Sequence, residues 1–122
     1  MNIEELKAKL AENQADVRSF QAYVDSVLES QDSEAISEAI AGIPSLVDDV
    51  AQQENFLRVT DFRARTRAGD QADMVYFAIG NAFRASLKKD DVAEMYYRKI
   101  EPGSPLLDSL EDFYSDFYVR KN

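Results

Sequence analysis

Ile3, Leu10, Val17 and Val24 recur every seven residues, and Leu6, Asn13, Phe20 and Val27 form a companion series, so the pattern steps by three and four from residue 3 to residue 27. That spacing is the a/d seam of a coiled-coil or bundle helix. No Gly or Pro interrupts it before Gly42. A single helix over residues 2–31 would be about 45 Å long, whereas a compact domain made from 122 residues is roughly 35 Å across. Either the helix breaks near Asn13-Gln14, or its overhang packs on another molecule. In the second case Leu6, Leu10, Asn13, Val17 and Phe20 form a self-association face, with Asn13 fixing the register of a homodimer. A bent helix inside an intramolecular bundle is the simpler reading.

The rest of the chain reads as further short helices. Asp32 or Ser33 can cap a second one carrying Ile36 and Ile40 and ending at Gly42. Pro44 suits the first turn of a third, which begins an apolar face with Leu46, Val47, Val50 and Leu57. Its end is ambiguous, because Arg63, Arg65 and Arg67 alternate with small residues as on an exposed strand, and a β-hairpin around 62–79 is the alternative. Helix is favoured there, since Ala and Arg are good helix formers and Gly69 is placed as a terminator. Asp70 can cap a helix with Ala72, Tyr76, Ile79, Phe83 and Leu87 on one face, followed by another with Val92, Met95, Tyr96 and Ile100. Glu101-Pro102-Gly103-Ser104-Pro105 is a firm break before a last helix with Leu106, Leu110, Phe113 and Phe117 on one stripe and Leu107, Tyr114 and Tyr118 beside it. The expectation is an all-α fold, a compact bundle of five to six helices with a long N-terminal amphipathic helix.

Charge and aromatic content divide this single expected domain, 1–122. Residues 1–57 alone carry the full net charge of −9, and 58–68 are locally basic through Arg58, Arg63, Arg65 and Arg67. Ten of the thirteen aromatic residues lie after position 60. Residues 1–42 therefore read as an acidic helical arm and 44–122 as an aromatic-rich helical core. Cys, His and Trp are absent. That removes disulfides, thiolate nucleophiles, imidazole acid/base chemistry and Cys/His metal sites, so no cofactor is expected. The acidic balance argues against direct binding of nucleic acid or an anionic membrane. The opening MNIEELKAKLAENQ has no basic segment leading into an apolar run, and no apolar stretch reaches the ~20 residues of a membrane span, so a cytoplasmic protein is the simplest expectation.

From Tyr76 to Pro105 the order Tyr76, Ile79-Gly80, Phe83, Ala93, Tyr97 and Pro105 resembles one tetratricopeptide repeat. The resemblance implies a helical hairpin in which Gly80, lacking a side chain, lets the second helix approach the first. The interval from Gly80 to Ala93 is one residue longer than usual, Ile100 stands where a small residue is usual, and a shift of 34 residues in either direction yields no full second copy.

Chemistry must come from carboxylates, hydroxyls, Lys and Arg. Glu34 with Glu38, and Asp91 with Glu94, have spacings that a metal-dependent nucleotide hydrolase could use, but no Gly-rich phosphate loop or Ser-x-x-Lys pair accompanies them. Catalysis is disfavoured. Arg58, Arg63, Arg65 and Arg67 can grip an acidic partner with their forked guanidinium groups, or pair with the chain's own carboxylates. Four aromatics within residues 113–118 cannot all face one stripe, so Tyr114 or Tyr118 is expected at the surface as a contact residue. The favoured function is a non-catalytic protein-protein interaction module. The alternatives are a small acidic inhibitor that mimics nucleic acid, and a repeat-like peptide-binding adaptor or chaperone.

Overall fold

Asn13 ends the first helix instead of carrying it on. The computed structural model describes residues 1–121, and α1 (Ile3–Glu12) stops at Asn13, whose backbone is extended at φ −150 and ψ 102. The Asn13 side chain accepts the Ala15 N–H at 3.0 Å. Asp16 then caps α2 (Val17–Glu29), accepting the Ser19 N–H at 3.1 Å and the Ser19 hydroxyl at 2.7 Å. Such local side-chain bonds offer the backbone an alternative to continued helix. The long N-terminal helix is therefore two helices, and the described residues form seven α-helices where five to six helices were expected. Leu6, Leu10 and Phe20 are buried in this chain's own core, Val17 is half-buried and Asn13 is exposed.

The remaining boundaries follow local chemistry. Asp32 caps α3 (Ser33–Ala41), taking the N–H groups of Glu34 and Ala35, and Gly42 ends it. Pro44 sits in a 3-10 turn, Ile43–Ser45, rather than opening a helix, because Asp49 downstream caps α4 (Val50–Arg67) by accepting the Gln52 N–H. Residues 62–79 contain no strand: α4 runs on through Arg67, a 3-10 turn covers Gly69–Gln71, and α5 (Ala72–Ala85) follows without the side-chain cap expected from Asp70. After α6 (Asp90–Tyr97), Ser104 accepts the Leu106 N–H and opens a 3-10 segment, Pro105–Leu110, which leads into α7 (Glu111–Lys121).

Helix pairing builds one continuous core from Leu6 to Phe117. Phe20 stacks on Phe56 at 4.2 Å between ring centres, Asp25 binds Arg63, and Glu29 binds Arg67 at 2.7 Å. The paired numbers climb together, so α2 and α4 run parallel. In the α5–α6 pair they run oppositely: Phe83 stacks on Tyr96 at 5.4 Å, while Asp73, ahead of it, accepts the Glu101 N–H. Gly80 lies under the Tyr97 ring, whose hydroxyl donates to Asn81 at 2.7 Å. Leu6, Leu10, Phe20, Val24, Leu28, Ile36 and Ile40, all from the N-terminal third, belong to this core. Among the described residues no helix is long and apolar enough to cross a membrane.

Candidate functional site

On α4 the buried positions Leu57, Thr60, Ala64 and, just beyond its end, Ala68 recur at three- and four-residue steps toward the core. Position 62 is out of phase with that series and points the other way. Phe62 is accordingly 81% exposed, the most exposed of the large apolar side chains. It lies four residues after Arg58 and three before Arg65, both exposed, so an aromatic ring is flanked along the helix by two guanidinium groups.

The four arginines thus have different employment. Arg63 grips Asp25 with Nε and Nη2, and Arg67 reaches Glu29. The Asp25 hydrogen bond is the first cause of the raised Arg63 pKa. These two tie α4 to α2, as pairing with the chain's own acids would require. Arg65 donates to the Tyr76 hydroxyl at 3.1 Å, while burial and then the Asp61 charge raise the Tyr96 hydroxyl pKa and the Arg58 charge opposes them. Asp61, the carboxylate beside Phe62, is covered by Lys99, whose ammonium lies 2.8 Å from each of its oxygens and 5.3 to 5.6 Å from the Tyr96 and Tyr76 ring centres. That clamp neutralises the one acidic neighbour along this stretch and leaves the outer face of α4 basic around its ring.

The C-terminal aromatics also divide. Phe113 and Phe117 are buried, Tyr114 is half-buried, and Tyr118 is 50% exposed, stacked on Tyr114 at 5.7 Å. Burial, followed by the nearby Glu94 charge, pushes the Tyr114 hydroxyl up to about 12. Glu94 is itself buried and bound to Arg98, whereas Asp91 is exposed. Exposed Met95 and Val119 extend the surface around Tyr118. Between α6 and α7 a cleft of about 600 Å³ is lined by Lys88, Lys89, Asp90, Asp91, Val92, Phe117 and Arg120. Its charges are mixed and largely matched, Lys89 to Glu54 and Arg120 to Asp90.

A second concavity, about 440 Å³, opens where α1, α2 and α3 meet. Ile3, Tyr23, Val27, Ala35, Ala39 and Leu46 form its apolar wall, and Lys7 and Glu38 are its charged lining residues. Burial raises the Tyr23 hydroxyl pKa. Among the described residues no group of three or more Asp and Glu is placed to hold a metal ion.

Sequence reasoning named Arg58 and Arg65 but missed Phe62 between them. The signal was the register of 57, 60, 64 and 68, which requires position 62 to face outward once the segment is helical. No family model matches this chain, and neither a curated protein nor a solved structure matches it.

Proposed function

We propose that this chain is a non-catalytic protein-interaction module that docks on a protein partner through the outer face of α4, with Phe62 as the anchor and Arg58 and Arg65 as its charged flank. The observation that carries this reading is the exposure of Phe62, 81%, on a helix otherwise packed against α2 and α5. An aromatic ring held in water by a rigid helix forfeits the burial that aromatic side chains ordinarily gain on folding. Aromatic and Arg side chains are the types enriched at the energetic centre of interfaces. A partner pocket that is apolar inside and acidic at its rim would complement all three residues. Tyr118, with Met95 beside it, is the secondary contact.

The test is a photo-crosslinking amino acid at position 62, expressed in cells of the natural source, with the same probe at exposed Glu12 as control. An adduct to a protein from position 62 and none from position 12 is the expected result. Absence of any protein adduct at 62 would defeat the reading.

A second reading, an acidic inhibitor that imitates nucleic acid, draws on the exposed carboxylates of Glu4, Glu5, Glu12, Glu34, Glu38, Asp48 and Asp49. Salt-sensitive competition with nucleic acid for a basic partner is its signature.

A further inference from the structure

Two features of the surface are complementary to each other, and they lie on different faces of one molecule. The first is the knob on α4, Phe62 flanked by Arg58 and Arg65. The second is the groove between α1, α2 and α3, about 440 Å³, walled by Ile3, Tyr23, Val27 and Leu46 and rimmed on α3 by Glu38. The groove lining itself carries Lys7 from α1 and Glu38 from α3, and Glu34, exposed one helical turn before Glu38, adds a second carboxylate on α3 outside the lining. α2 uses Asp25 and Glu29 to hold α4, while Tyr23 and Val27 line the groove. The knob therefore cannot enter the groove of its own chain.

We infer that this chain recognises a second copy of itself head to tail, with Phe62 of one protomer seated in the α1–α2–α3 groove of the next and Arg58 and Arg65 against Glu38 at the groove and Glu34 one turn before it on α3. The inference rests on the interaction-module reading and names its partner. Charge selects this pairing over a two-fold one. In a symmetric dimer built on α4, each Arg58–Phe62–Arg65 face would meet its own copy, and like charges oppose that. Against α3 the same arginines meet carboxylates. The occupant also fits the groove, since a phenyl ring is an apolar body without a hydrogen-bonding group and the wall offers apolar side chains. A heterologous contact leaves a free knob at one end and a free groove at the other, so association continues into rings or open chains. Burial of one ring covers only about 150–250 Å², well short of a standard interface, so the contact is weak and concentration-dependent.

The experiment is sedimentation equilibrium on the full chain and on two surface variants, Phe62→Asp and the double variant Glu34→Lys with Glu38→Lys, with folding of each verified by circular dichroism. Ala39→Arg, which fills the groove, is a second groove variant. The parent protein should show an average mass above 13.8 kDa that rises with concentration and falls with added salt. Each variant alone should stay at monomer mass. An equimolar mixture of a knob variant and a groove variant should form a two-chain species and nothing larger, because each supplies the half that the other lacks. A parent mass fixed at monomer up to about 1 mM, or a mixture that does not associate, overturns the inference. The crosslinking probe at position 62 separates the two levels. An adduct joining position 62 to groove residues of the same protein supports both readings, an adduct to a different protein overturns self-recognition alone, and no adduct overturns both.

Discussion

Replacing Gly80 by Ala should destabilise the protein by about 2 kcal/mol, although Ala is the better helix former by about 1 kcal/mol. A methyl group at position 80 would stand 2.6 Å from Cδ1 of Tyr97 and closer still to Cε1. The ring has little freedom to yield. It is 1% exposed, packs edge-on against Phe113 at 5.0 Å and is tethered through its hydroxyl to Asn81. Overpacking of this kind costs up to about 3 kcal/mol, which outweighs the helix-propensity gain and leaves the stated net loss. Gly42 is the internal control. A Cβ there meets nothing nearer than 3.5 Å and φ is −81, so Gly42→Ala should be neutral or add about 0.5 kcal/mol. Urea denaturation followed by far-ultraviolet circular dichroism reads both changes, and the Gly80→Ala loss corresponds to roughly 6–10 °C in Tm. In a Tyr97→Leu background the Gly80→Ala penalty should shrink by at least about 1 kcal/mol. A Gly80→Ala protein as stable as its parent would refute the close approach of α6 to α5.

Phe62→Ser should change stability by no more than about 0.5 kcal/mol, and a thermal-melt loss above 1 kcal/mol would show that the ring is packed rather than presented. Asp16→Ala should lower stability at neutral pH by uncapping α2. The hydroxyl and N–H of Ser19 hold the Asp16 carboxyl below its ordinary pKa, so this stabilisation is complete above about pH 4 and fades as pH falls through the folded value. A gap between parent and variant that persists in strong acid contradicts that cause. Tyr114, pushed up to about 12, stays protonated in the folded chain while an unfolded tyrosine ionises near pH 10. Its contribution is full below pH 10 and lost as pH rises toward 12, so Tyr114→Phe should flatten the alkaline fall in stability measured by urea titration.

The helical character of this chain was legible because apolar spacing and capping residues agree. Asp32, Gly42 and Ser104 act at the helix or turn boundaries that their residue types suggested, and Gly80 lies beneath an aromatic ring of the next helix. The break at Asn13 was open to two readings, since the seam's spacing passes through it without interruption. Two local hydrogen-bonded caps, at Asn13 and Asp16, decide it. Arg63 and Arg67 could not be separated from Arg58 and Arg65 by composition. Only the parallel docking of α2 brings Asp25 and Glu29 to the first pair, and sequence distance of 38 residues hides that contact. The α1–α2–α3 groove was hidden for the same reason, being made by three elements none of which is concave alone.

The parallel run of α2 and α4 also bears on how the chain comes together during synthesis. Phe20 leaves the ribosome long before its stacking partner Phe56, and the ion pairs beside them close loops of 38 residues. The Tyr97 hydroxyl and Asn81, by contrast, are 16 apart, and closing that shorter loop is less costly by roughly 0.8 kcal/mol. The later-made α5–α6 hairpin is thus positioned to form quickly and serve as a template, while the earlier-made α2 waits with Phe20 uncovered. A ribosome-held fragment ending before α4 should be readily cut by protease, and protection should arrive only once α5 and α6 have emerged.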